Sequence, residues 1–197
     1  MSADGATGLD RRAAVAELVA ACPEALVVAG LGSAAYDLFA AGDRDEHFYL
    51  WGAMGGAASM GLGLALAQPE RPVVVLTGDG EQLMGVGALA TVGAQQPSNL
   101  TVIVLDNGHF GETGMQVSHT GMGVRLSGIA EACGFAWTLD VHEEDALRVL
   151  ATRIAAMDGC GFAGVHVRAE VLPRVLPPRD GVYLKSRFRA ALGLRSI

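Results

Sequence analysis

The chain's 197 residues give room for one α/β domain, and its 51% hydrophobic content with a mean hydropathy of +0.35 points to apolar surface shared with other subunits. A net charge of −7 without a basic patch excludes nucleic acid from the expected partners. Cys22, Cys133 and Cys160, an odd number without CxxC spacing, argue against a disulfide framework or zinc site and suit the reduced thiols of a cytoplasmic protein.

Met1 to Leu9 is small and polar with acidic character, and is expected to be a disordered leader without signal-peptide features, ahead of one domain over 10–197. A helix is predicted over 10–21, a strand over 25–29, a helix over 34–40 and an extended segment over 47–51. The Gly/Ala/Met-rich run 53–67 reads as a helix able to pack closely on neighbours. It is not a membrane span, because Ser59 interrupts it, Gln68-Pro69-Glu70 bounds it and it is too short for a bilayer.

The βαβ unit over 72–106 is the most informative stretch. Arg71 to Thr77 and Asn99 to Leu105 are short β-branched apolar runs of the kind that form buried parallel strands. Gln82 to Ala94, rich in Leu, Met and Ala, is long enough for the crossover helix. Gly78-Asp79-Gly80-Glu81 ends the first strand and Asp106-Asn107-Gly108 the second, so Asp79 and Asn107 face one crevice, 28 positions apart. A carboxylate and an amide oxygen suit Mg²⁺, which shares its octahedron with phosphates and water, while the glycines let backbone amides approach a diphosphate. An Asp and an Asn that only cap a helix and a turn fit the same residues.

Beyond this unit come a loop over 107–124, a helix over 126–133, a strand over 136–139, an amphipathic helix over 143–157, a strand over 164–168 and, after Pro173, a closing helix near 182–193. The alternation predicts an α/β fold: a single doubly wound, mostly parallel sheet with helices on both faces. The loop Gly108–Gly123 is long for such a domain and is expected to close over a site. In it, His109 and His119 flank Gly111-Glu112-Thr113-Gly114 and suit proton donation, and Glu112 is placed to approach a substrate; solvated loop side chains are the alternative.

The GDG segment, its spacer and the Asn-containing turn resemble the signature of the thiamine diphosphate-dependent superfamily. Phe48 to Leu66, Ala88 to Gly93 and Leu105 to Gln116 are similar to the cofactor-binding half of sulfopyruvate and phosphonopyruvate decarboxylases, although Asp106 stands where many members have a second Asn. The resemblance implies a Mg²⁺ ion held by Asp79, Asn107 and the backbone carbonyl of His109. It implies thiamine diphosphate contacted by Gly78 and the amides of Gly80 and Glu81, supported by Met54 and the carbonyl of Gly52, and touched by Ser33. Met in an apolar helix is otherwise core filling.

The glutamate that activates the cofactor in this superfamily belongs to a separate pyrimidine-binding domain, and Glu24 and Glu46 lie in the diphosphate-binding half. The implied protein is therefore a β-type subunit, active only with an α partner that supplies the glutamate, in an α₂β₂ or larger assembly. The implied reaction is decarboxylation of a small 2-oxo acid. Carboligation, 2-oxo acid oxidation or a non-catalytic subunit are the alternatives. A sulfonated or phosphonated substrate needs cations, and with one lysine, Lys185, and only Arg125 close in sequence to the loop, much of that pocket is expected from the partner.

Overall fold

In the computed structural model, which describes residues 8–194, the apolar runs become strands buried on both faces. Strands β1 (Leu26–Ala29), β2 (His47–Tyr49), β3 (Val73–Gly78), β4 (Leu100–Asp106), β7 (Trp137–Val141) and β8 (Gly161–His166) form one sheet in the order β2-β1-β3-β4-β8-β7. Every pairing within it is parallel. The expected α/β fold is thus the observed one.

Side chains alternate between two cores. Val27, Ala29, Val74, Leu76, Ile103 and Leu105 meet helices α1 (Arg11–Ala21), α2 (Ser33–Ala40) and α7 (Glu144–Ala156) on one face. Leu26, Val28, Val73, Val75, Val102 and Val104 meet α3 (Ala57–Ala67), α5 (Gly87–Gln95) and α6 (Leu126–Ala132) on the other. Helix α8 (Gly181–Ala191) covers the β2 edge, with Phe188 edge-on to Phe48 at 5.4 Å.

The chain leaves β1 toward β2 on one side and then places β3 on the other side. The carboxyl ends of β1 and β3 therefore flank a topological switch point, the usual location of a ligand crevice in an open α/β sheet.

Several predicted boundaries move for identifiable reasons. The crossover expected as one helix over 82–94 is two, α4 (Asp79–Met84) and α5, because Gly85 is pressed against the backbone of Gly55: a Cβ at Gly85 would stand 2.1 Å from the Gly55 carbonyl oxygen. The helix expected from 53 begins at Ala57, since Gly52 and Gly55 take φ of +71° and +84°, which places Met54 in a loop. The strand expected over 164–168 runs from Gly161, whose lack of a side chain admits the Trp137 ring; a Cβ there would lie 2.0 Å from it. The loop after Asn107 contains an antiparallel ribbon, β5 (His109–Phe110) with β6 (Gln116–Val117). Of the expected leader, residues 1–7 lie outside the described residues, and Leu9 bridges in parallel to Val167.

Candidate active site

The strand ends at the switch point enclose a cavity of about 280 Å³. Ser33, Met54, Gly78, Asp79, Gly80, Glu81, Asn107, His109 and Glu112 all line it, although they span eighty residues of sequence. Gly52 lies two residues before Met54 and His119 lies in the loop, both exposed and outside the lining. His119 instead stands edge-on to Phe110 at 6.3 Å.

Asp79 opens α4 directly after β3, and only 2% of it is exposed. Its Oδ2 accepts from Ser118 Oγ and, at 2.9 Å, from Thr120 Oγ1, so the loop is tied to the strand end through this carboxylate. Thr120 also lies 2.8 Å from Asp106 Oδ1. Burial raises the Asp79 carboxyl above the usual range, and the charge of Asp106 adds to the rise against the two hydroxyls. Among the described residues no Lys, Arg or His side chain forms an ion pair with Asp79.

Opposite it, Asn107 ends the neighbouring strand and folds into an Asx turn, its Oδ1 accepting from the His109 amide at 2.9 Å. His109 Nδ1 lies 2.8 Å from the Asn107 carbonyl, which fixes the ring beside the turn. The Asp79 carboxylate, the Asn107 amide oxygen and local main-chain carbonyls form a hard oxygen donor set that fits Mg²⁺. No group of three His, Cys, Asp or Glu side chains suited to a metal occurs among the described residues, so main-chain and amide oxygens are part of any such set here.

The glycines of the signature have separate roles. A Cβ on Gly78 would meet nothing within 4 Å and project into open space, so backbone is presented to the cavity there. A Cβ on Gly80 would lie 2.6 Å from the Phe110 ring, which roofs the turn. Glu81 is buried, with Oε2 accepting from Thr77 Oγ1 at 2.7 Å and Oε1 from the Leu31 amide at 3.3 Å. Burial raises its carboxyl too, opposed by the Thr77 hydroxyl. Its side chain braces the loop after β1 to the loop after β3, and a Cβ on Gly30 would overlap it at 1.8 Å.

Sequence reasoning missed Ser118 and Thr120, whose only signal was a pair of hydroxyls in the loop after Asn107. It also missed the arginines beside the cleft. Arg11 lines it and is paired with Asp37, and Arg174 pairs with Glu112 at 2.8 Å.

A parallel sheet with paired Asp and Asn at adjacent strand ends defines a diphosphate-binding domain, and the chain belongs to the thiamine pyrophosphate enzymes: their C-terminal TPP binding domain matches residues 30–167. Among relatives, it is 43% identical to the phosphonopyruvate decarboxylase of Streptomyces viridochromogenes over 190 residues, 91% of this chain and 45% of that one. It is 40% identical to sulfopyruvate decarboxylase subunit beta of Methanothermobacter thermautotrophicus over 163 residues, 81% of this chain and 83% of that one. The chain thus spans less than half of the first relative and most of the second. The fold is shared with benzoylformate decarboxylase from Polynucleobacter necessarius, with a TM-score of 0.69 and 21% identity over 88% of this chain and 36% of that one. Among the described residues no helix is long and apolar enough to cross a membrane.

Proposed function

We propose that the chain is the diphosphate- and Mg²⁺-binding subunit of a two-chain, cytoplasmic thiamine diphosphate-dependent 2-oxo acid decarboxylase of the sulfopyruvate or phosphonopyruvate type, releasing CO₂ and an aldehyde. The observation that carries this reading is Asp79: a buried carboxylate without a cationic partner among the described residues, anchored by two loop hydroxyls and sharing the cavity with Asn107 at the end of the neighbouring strand. When bound, thiamine diphosphate supplies the electron sink for breaking the bond to the departing carboxylate.

In this reading Asp79, Asn107 and the His109 carbonyl hold the ion, and the Ser118 and Thr120 hydroxyls fix the carboxylate that does so. Main-chain amides at Gly80 and Glu81 and the Ser33 hydroxyl bind the diphosphate, with Gly78 leaving room for it. Met54 would support the rings of the cofactor, and the Gly52 carbonyl would accept from its pyrimidine amino group. Phe110 covers the turn and excludes water from it. His109, Glu112 and His119 are the groups that can exchange protons with a substrate at the loop side.

The activating glutamate comes from a pyrimidine-domain α subunit. Glu24 lies two residues before β1 and Glu46 directly before β2, at the strand ends opposite the cleft, and the Glu81 carboxylate is taken up by Thr77 and Leu31. Exposed Met54, Met84 and Met122 suit a partner contact in an α₂β₂ or larger assembly.

The test is a screen of 2-oxo acids with the chain co-purified with a pyrimidine-domain chain, thiamine diphosphate and Mg²⁺. CO₂ and aldehyde release that needs both chains and disappears in Asp79→Ala supports the proposal. Carboligation or acceptor reduction in place of aldehyde release would assign a sister reaction on the same site. Activity of an unrelated kind that survives Asp79→Ala would return the chain to the non-catalytic reading.

A further inference from the structure

Three segments that wall the cleft meet at the carboxylate of Glu81. This residue stands on α4, two positions after Asp79, and is 5% exposed. Its Oε1 accepts from the Leu31 amide at 3.3 Å, in the loop after β1 that leads to Ser33. Its Oε2 accepts from the Thr77 hydroxyl at 2.7 Å, near the end of β3. The main-chain N–H groups of Gly55 and Gly78 act on the same carboxylate and favour its charged form. Gly55 directly follows Met54, so the loop expected to support the cofactor rings is drawn to the same point.

Contact with the loop after β1 is close as well as polar: a Cβ on Gly30 would lie 1.8 Å from Oε2 and 2.6 Å from Oε1. The main chain of Glu81 adds a link to the Met54 loop, because its carbonyl accepts from the Gly85 amide at 3.2 Å and Gly85 is pressed against Gly55. The groups gathered here are a hydroxyl and main-chain amides, all able to donate. An ionised carboxylate is acceptor-only on both oxygens, whereas the isosteric amide accepts on one oxygen and turns an NH₂ toward the remaining donors. A buried charge is costly unless it is hydrogen-bonded, so the ionised side chain is favourable only while these separate segments keep their relative positions.

We propose that the Glu81 side chain is a positioning residue for the cofactor, holding the Ser33 loop and the Met54 loop in register with the strand end that carries Asp79. The inference rests on the thiamine diphosphate reading. The main-chain amide of Glu81 is the part assigned to the diphosphate; the carboxylate acts through Leu31, Gly55 and Gly78. A cleft ordered in advance lowers the cost of ordering it on binding, so loss of the brace is read as lost affinity.

The test compares the wild type with Glu81→Ala and the volume-conserving Glu81→Gln. Ile154→Val, a core truncation on α7 outside the cleft lining, controls for lost stability alone. In the free chain, hydrogen exchange at the Leu31 amide should be about ten- to a hundredfold faster in Glu81→Ala, the range for losing a hydrogen bond to a charged group, and unchanged in Ile154→Val. With Mg²⁺ and the pyrimidine-domain chain, thiamine diphosphate should bind Glu81→Ala about tenfold or more weakly, with Glu81→Gln between it and the wild type. The fall in kcat/KM should be carried by the KM for thiamine diphosphate, and Ile154→Val should bind as the wild type does. Where Glu81→Ala does not fold, Glu81→Gln decides. Unchanged affinity in the folded Glu81 variants, or an equal loss in Ile154→Val, would overturn the positioning role, and unchanged exchange at Leu31 in Glu81→Ala would overturn the brace itself. A wild-type assembly that takes up no thiamine diphosphate would instead overturn the functional reading, which the exchange measurement on the free chain does not depend on.

Discussion

Replacing Gly85 by alanine adds one methyl group where the two halves of the crossover meet the loop that carries Met54. Gly85 itself has φ −99° and ψ 24°, within reach of any L-residue, so the cost of the substitution is contact rather than backbone conformation. The new Cβ would lie 2.1 Å from the carbonyl oxygen of Gly55, 2.7 Å from its carbon and 2.8 Å from its Cα, all of them backbone atoms that no side-chain rotation can remove. Overpacking of this kind costs about 1–3 kcal/mol, which in a domain of this size lowers Tm by roughly 3–10 °C. If the loop yields instead, Met54 moves with Gly55 and affinity for thiamine diphosphate falls. Gly87→Ala is the control: two residues on, at an exposed helical position where a Cβ meets nothing within 4 Å, it should hold or raise stability. Differential scanning calorimetry with a cofactor titration reads both effects. A Gly85→Ala protein unchanged in both Tm and affinity would refute the idea that the Gly55–Gly85 contact sets the position of Met54.

Two further outcomes follow from the buried polar groups. Removing Thr120 Oγ1 and Ser118 Oγ together as Ser118→Ala/Thr120→Val should weaken Mg²⁺-dependent cofactor binding by about tenfold or more without unfolding the domain, since each hydroxyl donates to the Asp79 carboxylate; equal affinity in calorimetry would show that the carboxylate needs no anchoring. His47 is fully buried with neither ring nitrogen hydrogen-bonded, and burial, helped by the charge of Arg44, pushes its pKa down from 6.5 to about 4. The unfolded chain therefore binds the proton first, so the stability contributed by neutral His47 is complete above pH 6.5 and is lost as pH falls toward 4, by about 3 kcal/mol over that window. Urea melts should show this slope in the wild type and a flatter one in His47→Phe; identical slopes would exclude His47 as its source.

The strands and the metal-facing pair were readable because they depend on local chemistry: Val73 to Thr77 and Leu100 to Leu105 are too apolar and β-branched to lie anywhere but inside a parallel sheet, and Asp79 and Asn107 follow them directly. What escaped depends on contacts between distant segments. The break at Gly85 is imposed by Gly55, thirty residues earlier, and Leu, Met and Ala on either side look like continuous helix. The strand expected over 164–168 stops short of Gly161, whose missing side chain admits the Trp137 ring. Ser118 and Thr120 reach Asp79 across 39 and 41 residues, a separation at which a hydroxyl carries no pattern. Arg11, Arg12 and Arg174 lie at opposite ends of the described chain, and only the packing of α1 on α2 brings the first two to the cleft.

The most direct measurement is a calorimetric titration of thiamine diphosphate with Mg²⁺ into the purified chain, alone and with a pyrimidine-domain partner, beside Asp79→Ala. Tight, Mg²⁺-dependent binding in the presence of the partner that is abolished in Asp79→Ala is the expected result. Binding indifferent to Asp79, or none in either setting, would contradict the placement of the diphosphate and its metal at the ends of β3 and β4.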